Sequence, residues 1–246
     1  LARLLATSFL WVLAIFIHPG AAEPAKLILA LGDDSYIPAE AVNVWTGAKI
    51  KRELGRHDLL EFSLVILSNI PYGALPHRVQ ELLPEYASQG GSLLITGGPN
   101  SYGSGGYQAV SSLIPFVIRT ETDWVSGPFR PIIPVQPNHP ILEGVTFRTV
   151  GTFNDLNPRT SGVVEIARYG GGGGRPIRSF GGRIGSKYPS PLIAERQLGQ
   201  GTVLGVAFDL GREIHTGWPH GLQFTQNVIT YLVNRSPLKP RSTEDL

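Results

Sequence analysis

Gly90-Gly-Ser-Leu-Leu-Ile-Thr-Gly-Gly-Pro-Asn-Ser-Tyr-Gly-Ser-Gly-Gly-Tyr107 is the stretch on which the fold turns. Its first part, Ser92 to Thr96, is apolar on successive residues, the pattern of a strand covered on both faces. Upstream, from Pro76 to Gln89, the apolar positions Val79, Leu82, Leu83, Tyr86 and Ala87 recur at helical spacing, and Gly90-Gly91 supplies the stop. Before that helix stands a second apolar run, Ser63-Leu-Val-Ile-Leu-Ser68. Strand, helix and strand follow one another closely enough to predict parallel strands joined by a right-handed crossover. Two runs buried on both faces favour a doubly wound, mostly parallel sheet with helices on both faces, an α/β fold.

Working outward, Lys26-Leu-Ile-Leu-Ala-Leu31 predicts a further strand that delivers Gly32-Asp33-Asp34 to its end, and Ala39 to Leu54 predicts a helix weakened by Gly47. Downstream, a short helix is expected over Gln108 to Ile114. The proline-rich stretch from Pro115 to Gly162 should carry short strands at Phe116 to Arg119 and Ile132 to Val135, with a turn at Pro137 to Pro140. Val163 to Arg168 and Ser190 to Glu195 read as strands flanking the Gly170 to Gly174 run, where five glycines have so much entropy to lose that a hairpin tip is expected. Gly201 to Asp209 reads as a buried strand ending in an acid, and Leu222 to Val233 as the last helix.

The 246 residues can bury a normal core. Lys and Arg number 21 against 19 Asp and Glu, a formal charge of +2 without a basic block, so the charge pattern points to neither nucleic acid nor a polybasic membrane contact. With 30 glycines and 20 prolines, short elements and shaped loops are expected rather than a helical bundle. No cysteine is present, which excludes disulfides and cysteine lipidation. Residues 1–22 read as a signal peptide: Arg3, then an apolar stretch from Leu4 to Ile17, then small residues up to Ala22. The stretch falls short of the roughly 20 residues that span a bilayer, so cleavage is expected and a retained anchor is the alternative. The domain would then cover 23–235, be exported to the periplasm or beyond, and keep no membrane span. Residues 236–246 are expected to be a disordered tail.

Taken in order, Leu64-Val-Ile-Leu-Ser68, the Gly90 to Tyr107 block, Asn138-His-Pro-Ile-Leu142, Phe153-Asn154, Pro191-Leu-Ile-Ala194, Gly199-Gln-Gly-Thr-Val203 and Phe208-Asp209 resemble the family of glutamine amidotransferase-like proteins. The resemblance runs from about Leu27 to Val233. It implies a class I glutamine amidotransferase-like, flavodoxin-like sheet, often met in bacterial envelope proteins. It does not bring that family name's chemistry, because such an enzyme needs a cysteine thiolate on the strand-to-helix elbow, activated by a histidine and an acid. Here the strand ending at Thr96 continues into glycines.

Several residues remain as candidates. Thr96 has an elbow hydroxyl but a weak one without a base, and Ser101 lies among glycines without a Gly-x-Ser-x-Gly elbow. Backbone N–H groups of the Gly97, Gly98 and Gly106 loop could cradle an anion or a sugar hydroxyl, with Asn100, Ser101, Tyr102 and Tyr107 as contacts; the alternative is a tight turn packed on the sheet. Asp33 and Asp34 could form an acid pair, against a turn or cap. Asp209, His215 and Trp218 could assemble acid, imidazole and aromatic wall, against a surface loop with a packed tryptophan. No metal or cofactor motif is present. The leading expectation is a non-catalytic exported domain that binds a small ligand or an envelope protein at the glycine-rich strand ends. The alternatives are an envelope hydrolase of a sugar or amide using Asp209 and His215, and a purely structural module.

Overall fold

The computed structural model describes residues 25–170 and 190–240. The leader, the Gly171 to Gly174 part of the glycine run and residues 241–246 lie outside them. The chain begins with β1 (Leu27–Gly32), α1 (Ala39–Thr46), β2 (Lys49–Lys51), β3 (Phe62–Ser68), α2 (His77–Ser88) and β4 (Ser92–Thr96). It continues through β5 (Phe116–Val117), β6 (Trp124–Pro134), β7 (Thr149–Asn154), β8 (Asn157–Pro158) and β9 (Val163–Tyr169). It closes with β10 (Pro191–Leu198), β11 (Gly201–Val206), α3 (Leu210–His215) and α4 (Gly221–Arg235).

One nine-stranded sheet has the order β2-β1-β3-β4-β11-β10-β9-β6-β7. The pairs from β2 through β1, β3 and β4 to β11 are parallel. Those from β11 through β10, β9 and β6 to β7 are antiparallel. Every residue of β3, β4 and β11 is buried, as their apolar runs predict. Helix α4 packs on β3, β4, β11 and α1, and α2 packs on β11. Where α4 ends, Ser92 Oγ of β4 donates to Leu232 O at 2.8 Å.

The structure corrects several boundaries. Ala39 to Leu54 is not one helix: Gly47 takes φ +68° and its N–H caps Asn43 O, so α1 stops and the chain re-enters the sheet as β2. A left-handed glycine there is a stop, where the sequence suggested a mere weakening. Gln108 to Ile114 holds only a single 3-10 turn, Tyr107–Val110. Ile132 to Val135 contains the end of the eleven-residue β6, whose pairing with β7 is interrupted between Ser126 and Arg130. β7, β8 and α3 were not anticipated. The tail is tied down further than expected: Ser236 Oγ donates to Gly90 O at 2.9 Å and Ser63 Oγ to Leu238 O at 2.8 Å. Among the described residues no helix is long and apolar enough to cross a membrane.

The antiparallel half meets α4 through a polar contact. Tyr231 on α4 donates to Glu195 Oε2 of β10 at 2.7 Å, and His139 Nε2 lies 3.7 Å from the same oxygen. Burial pushes the Glu195 carboxyl up, but the His139 and Tyr231 bonds outweigh it and hold the group below its ordinary value. A lowered carboxylate contributes stability that is complete above its unfolded value, near 4.5, and is lost as pH falls through the folded one. Glu195→Gln is therefore expected to lower the urea midpoint at pH 7, with the gap to the unaltered protein closing as the pH falls below about 4.5. A gap that stays constant across that range would show that Glu195 acts through packing alone.

Candidate ligand site at the strand ends

The C-terminal ends of β1, β3, β4 and β11 converge, and the side chains just beyond them form the site. After β1, the N–H of Asp33 donates to Ser68 O at 2.8 Å, and its Oδ1 accepts the Ser35 hydroxyl at 2.8 Å. Asp34 instead pairs with Arg52. Neither aspartate caps α1, whose N-cap is Pro38. The turn-forming reading of Asp33 holds locally, yet its Oδ2 lies 3.2 Å from where a Cβ on Gly211 would stand, beside the first turn of α3.

After β3, Asn69 adopts φ +45°, a left-handed conformation that asparagine tolerates better than most residues. That twist aims its amide across the strand ends: Oδ1 accepts the Asn100 N–H at 3.0 Å, and Nδ2 reaches Asp209 Oδ2 at 3.4 Å. Asp209 itself is the N-cap of α3, accepting the Arg212 N–H at 3.0 Å through Oδ1. Burial, and to a smaller extent the Asp33 charge, raise its carboxyl above the ordinary value, against the Arg212 N–H and the Arg212 and His215 charges.

After β4, the elbow is closed to a nucleophile. A Cβ on Gly97 would stand 2.5 Å from the Ala207 carbonyl carbon and 2.7 Å from Asn154 Oδ1. Gly98 takes φ +141°, and a Cβ there would land inside the Asn69 amide. Thr96 is fully buried, and its hydroxyl meets Ser68 Oγ at 2.9 Å, which in turn meets the Tyr36 hydroxyl at 3.2 Å. Burial keeps the Tyr36 hydroxyl well above its usual range, so this row of hydroxyls contains no base for Thr96.

The glycine-rich loop does not cradle an anion with its backbone. Gly97 N donates to Phe208 O, Gly98 N to Asn154 Oδ1, Asn100 N to Asn69 Oδ1 and Ser101 N to Gly98 O. Gly103 N and Ser104 N both donate to the Asp123 carboxylate, at 2.9 and 3.0 Å. Gly105, Gly106 and Tyr107 donate to Ser101, Gly103 and Tyr102 carbonyls. Every N–H from Gly97 to Tyr107 apart from that of Tyr102 is thus engaged within the fold, Pro99 having none. The anion expectation is corrected for that reason.

Other candidates move inward. Tyr102, at φ +47°, is fully buried and bridges β4 and β11 by donating to Ile95 O at 2.9 Å and Val206 O at 3.1 Å. Tyr107 is buried and donates to Ile70 O at 2.9 Å. Ser101 is buried too, its hydroxyl without a hydrogen-bond partner among the described residues. Trp218 stacks on Phe147, packs on Phe208 and Phe224, and donates its indole N–H to Thr146 O at 2.9 Å. His215 is exposed at the far end of α3 and makes no hydrogen bond to Asp209. The acid, imidazole and aromatic wall therefore does not assemble as a hydrogen-bonded group: Asp209 caps the start of α3, His215 is its last residue, and Trp218 belongs to the core. What the strand ends do bring together is Asp33, Asn69, Asn100 and Asp209, with Gly106 open to solvent nearby in the loop.

Three residues outside the expected site organise it. Asp123, 1% exposed, gathers the loop N–H groups, the Ser104 hydroxyl at 2.9 Å and the Asn154 amide at 3.0 Å. Burial raises its carboxyl, and those bonds partly offset the shift. Asn154 also donates to Gly98 O at 3.2 Å, while its backbone N–H reaches Ala207 O at 2.7 Å. The available signal was positional: Asn69 directly follows an apolar run, and Asn154 ends the Phe153-Asn154 block.

No family model matches the chain, and no curated protein matches its sequence. Its likeness to solved structures is clear. A Salmonella typhimurium protein described as cytoplasmic is 15% identical with a TM-score of 0.61, over 84% of this chain and 98% of that one. A ThuA-like protein from Bacteroides uniformis is 13% identical with a TM-score of 0.53, over 89% and 95%. An exo-β-1,4-mannosidase from an Opitutaceae bacterium is 14% identical with a TM-score of 0.50, and this chain spans 37% of its length. At these identities the likeness is one of fold. ThuA-like proteins have a class I glutamine amidotransferase-like fold, which agrees with the fold implied by the sequence blocks.

Removing the Asn154 amide would leave the Gly98 N–H and part of the Asp123 carboxylate without partners. Asn154→Ala is expected to destabilise the protein by about 2 to 4 kcal/mol in urea unfolding. Gly98→Ala is expected to cost more than about 1 kcal/mol, since it adds a clash to a disfavoured backbone conformation. Near-neutral values for both would remove the closed elbow.

Proposed function

We propose that the chain is a non-catalytic ligand-binding domain whose site is the strand-end edge formed by Asp33, Asn69, Asn100 and Asp209. The observation that carries this reading is the Asn69 amide, which fills the place that a nucleophile on the elbow would need. A flavodoxin-like, doubly wound arrangement with helices on both faces places such an edge where open α/β sheets bind ligands. Full burial of β3, β4 and β11 supports that arrangement. Export of the domain rests on the leader-like first 22 residues alone.

The chemistry of the edge favours a ligand rich in hydrogen-bond donors. The edge carries the two carboxylates of Asp33 and Asp209, and the loop N–H groups that would welcome an anion are engaged elsewhere. A small polyol, a sugar or an amine fits this set of acceptors. Asp209 and Asp33 also repel one another, and a donor or cation placed between them relieves that repulsion.

A group whose folded value is raised destabilises the fold increasingly as pH climbs past its ordinary value. Asp209→Asn keeps a cap for α3 and removes the charge, so its melting temperature at pH 7 is expected to equal or exceed that of the unaltered protein. In thermal-shift assays, donor-rich ligands should stabilise the unaltered protein, by about 2.7 kcal/mol at a hundredfold excess over Kd, and Asp33→Asn and Asp209→Asn should abolish the response. Stabilisation by phosphate or sulfate instead, or turnover of an ester, amide or glycoside that Asp209→Asn abolishes, would refute the proposal.

A further inference from the structure

Among the described residues, the sheet ends in an open edge at β2, away from the antiparallel half. This strand is only three residues long and pairs with β1 in the register Leu27 with Lys49, Ile28 with Ile50 and Leu29 with Lys51. Lys49 N donates to Lys26 O at 2.8 Å, so Lys49 turns its backbone groups toward β1. Residues along a strand alternate in this respect, so the N–H and C=O of Ile50 face outward from the sheet. Beside them runs a groove of about 390 Å³ between α1 and β2, lined by Ala39, Glu40, Asn43, Ala48 and residues 49–51.

The charged side chains of β2 itself are all basic. Lys49 and Lys51 are exposed on either side of the half-buried Ile50, and neither side chain has an ion pair or hydrogen bond among the described residues. Beyond β2 in sequence, Glu53 and Arg56 are exposed with opposite charges, and Glu40 is the one acid that lines the groove among the described residues. On α1, Val44 is 84% exposed, the largest exposure of any large apolar side chain described. Pairing two copies of the chain at this edge would set lysines against lysines, which is unfavourable for directly opposed like charges. An extended segment with acidic residues at alternate positions meets the opposite condition: its acids face Lys49 and Lys51, and its backbone takes the free groups of Ile50.

We propose that the β2 edge and the groove beside α1 bind an extended acidic segment of a protein partner, which adds to the sheet as a further strand. The surface is distinct from the strand-end site, so either can fail without the other.

The test is fluorescence anisotropy of the whole protein with a labelled peptide of alternating glutamate and valine, beside a lysine-for-glutamate version. Binding of the acidic peptide with a Kd below about 1 mM is expected, weakening with added salt, with no binding of the basic one. Lys49→Glu and Lys51→Glu should each weaken it at least tenfold. Ile50→Pro removes the outward N–H without removing a β1–β2 hydrogen-bond donor and should also weaken it, while Lys51→Glu serves should the proline variant fail to fold. Absence of binding at 1 mM overturns the proposal, as does binding that survives in folded Ile50→Pro, which marks plain charge attraction. A concentration-dependent dimer lost in Lys49→Glu overturns it in favour of a second copy of the chain.

Discussion

A buried amide and a buried carboxylate hold the two halves of this sheet in register at the strand ends. Asn154 closes β7, far across the sheet order from β4, yet its backbone N–H bonds the carbonyl after β11 and its side chain bonds both polar groups of Gly98. Asp123, at the entry to β6, receives the other side of the same amide and two loop N–H groups. The Asp155 N–H then donates to Asp123 O at 2.7 Å, while its carboxylate takes the Ser190 hydroxyl at 2.6 Å and Arg119 at 3.2 Å. Groups this deep are costly unless they are satisfied, so the network is stable only when the antiparallel strands and the glycine-rich loop sit together in one arrangement.

The parallel half was legible because its strands are apolar on consecutive residues, a signal that depends only on burial from both sides. The β3 and β4 runs and the helix between them appear within a residue or two of where Ser63 to Ser68, Pro76 to Gln89 and Ser92 to Thr96 put them. The antiparallel extension was harder to see. In β6 the burial pattern follows neither a period of two nor a continuous run, and three prolines interrupt it, so only its last residues resembled a strand. Short α3 gave too few turns for a periodic signal, and its cap, Asp209, looked like the end of a strand.

The candidate site was legible in its address but not in all its members. Strand ends followed from the order of the apolar runs, which put Asp33, Asn100 and Asp209 just beyond β1, β4 and β11, as in the structure. Aromatic and hydroxyl residues beside glycines suggested contacts, yet Tyr102, Tyr107 and Trp218 are packed inward because each has a polar atom that finds a backbone carbonyl within the core. Sequence spacing cannot distinguish a tyrosine offered to a ligand from one that bridges two strands. That distinction depends on the left-handed turn at Tyr102, which directs the ring beneath Gly205, where a side chain would meet Phe116 and the Tyr102 hydroxyl.

Once the elbow is closed, the strand ends hold an electrostatic tension that the fold does not resolve internally. Asp34 has Arg52, Glu213 has Arg148 at 3.4 Å, and Asp155 has Arg119, but among the described residues no arginine or lysine forms an ion pair with Asp33 or Asp209. Asp209 receives a helix N–H and the dipole-positive end of a short helix, which holds it in place without removing its cost of burial. Replacing it with an apolar residue would uncap α3, whereas keeping it charged leaves acceptor capacity turned toward the Asn69 amide and the strand ends. A protein under selection for stability alone has a simpler solution at that position, an asparagine or serine cap. The two carboxylates without an arginine or lysine partner are the physical reason why the ligand proposed for this edge is a donor from outside the chain.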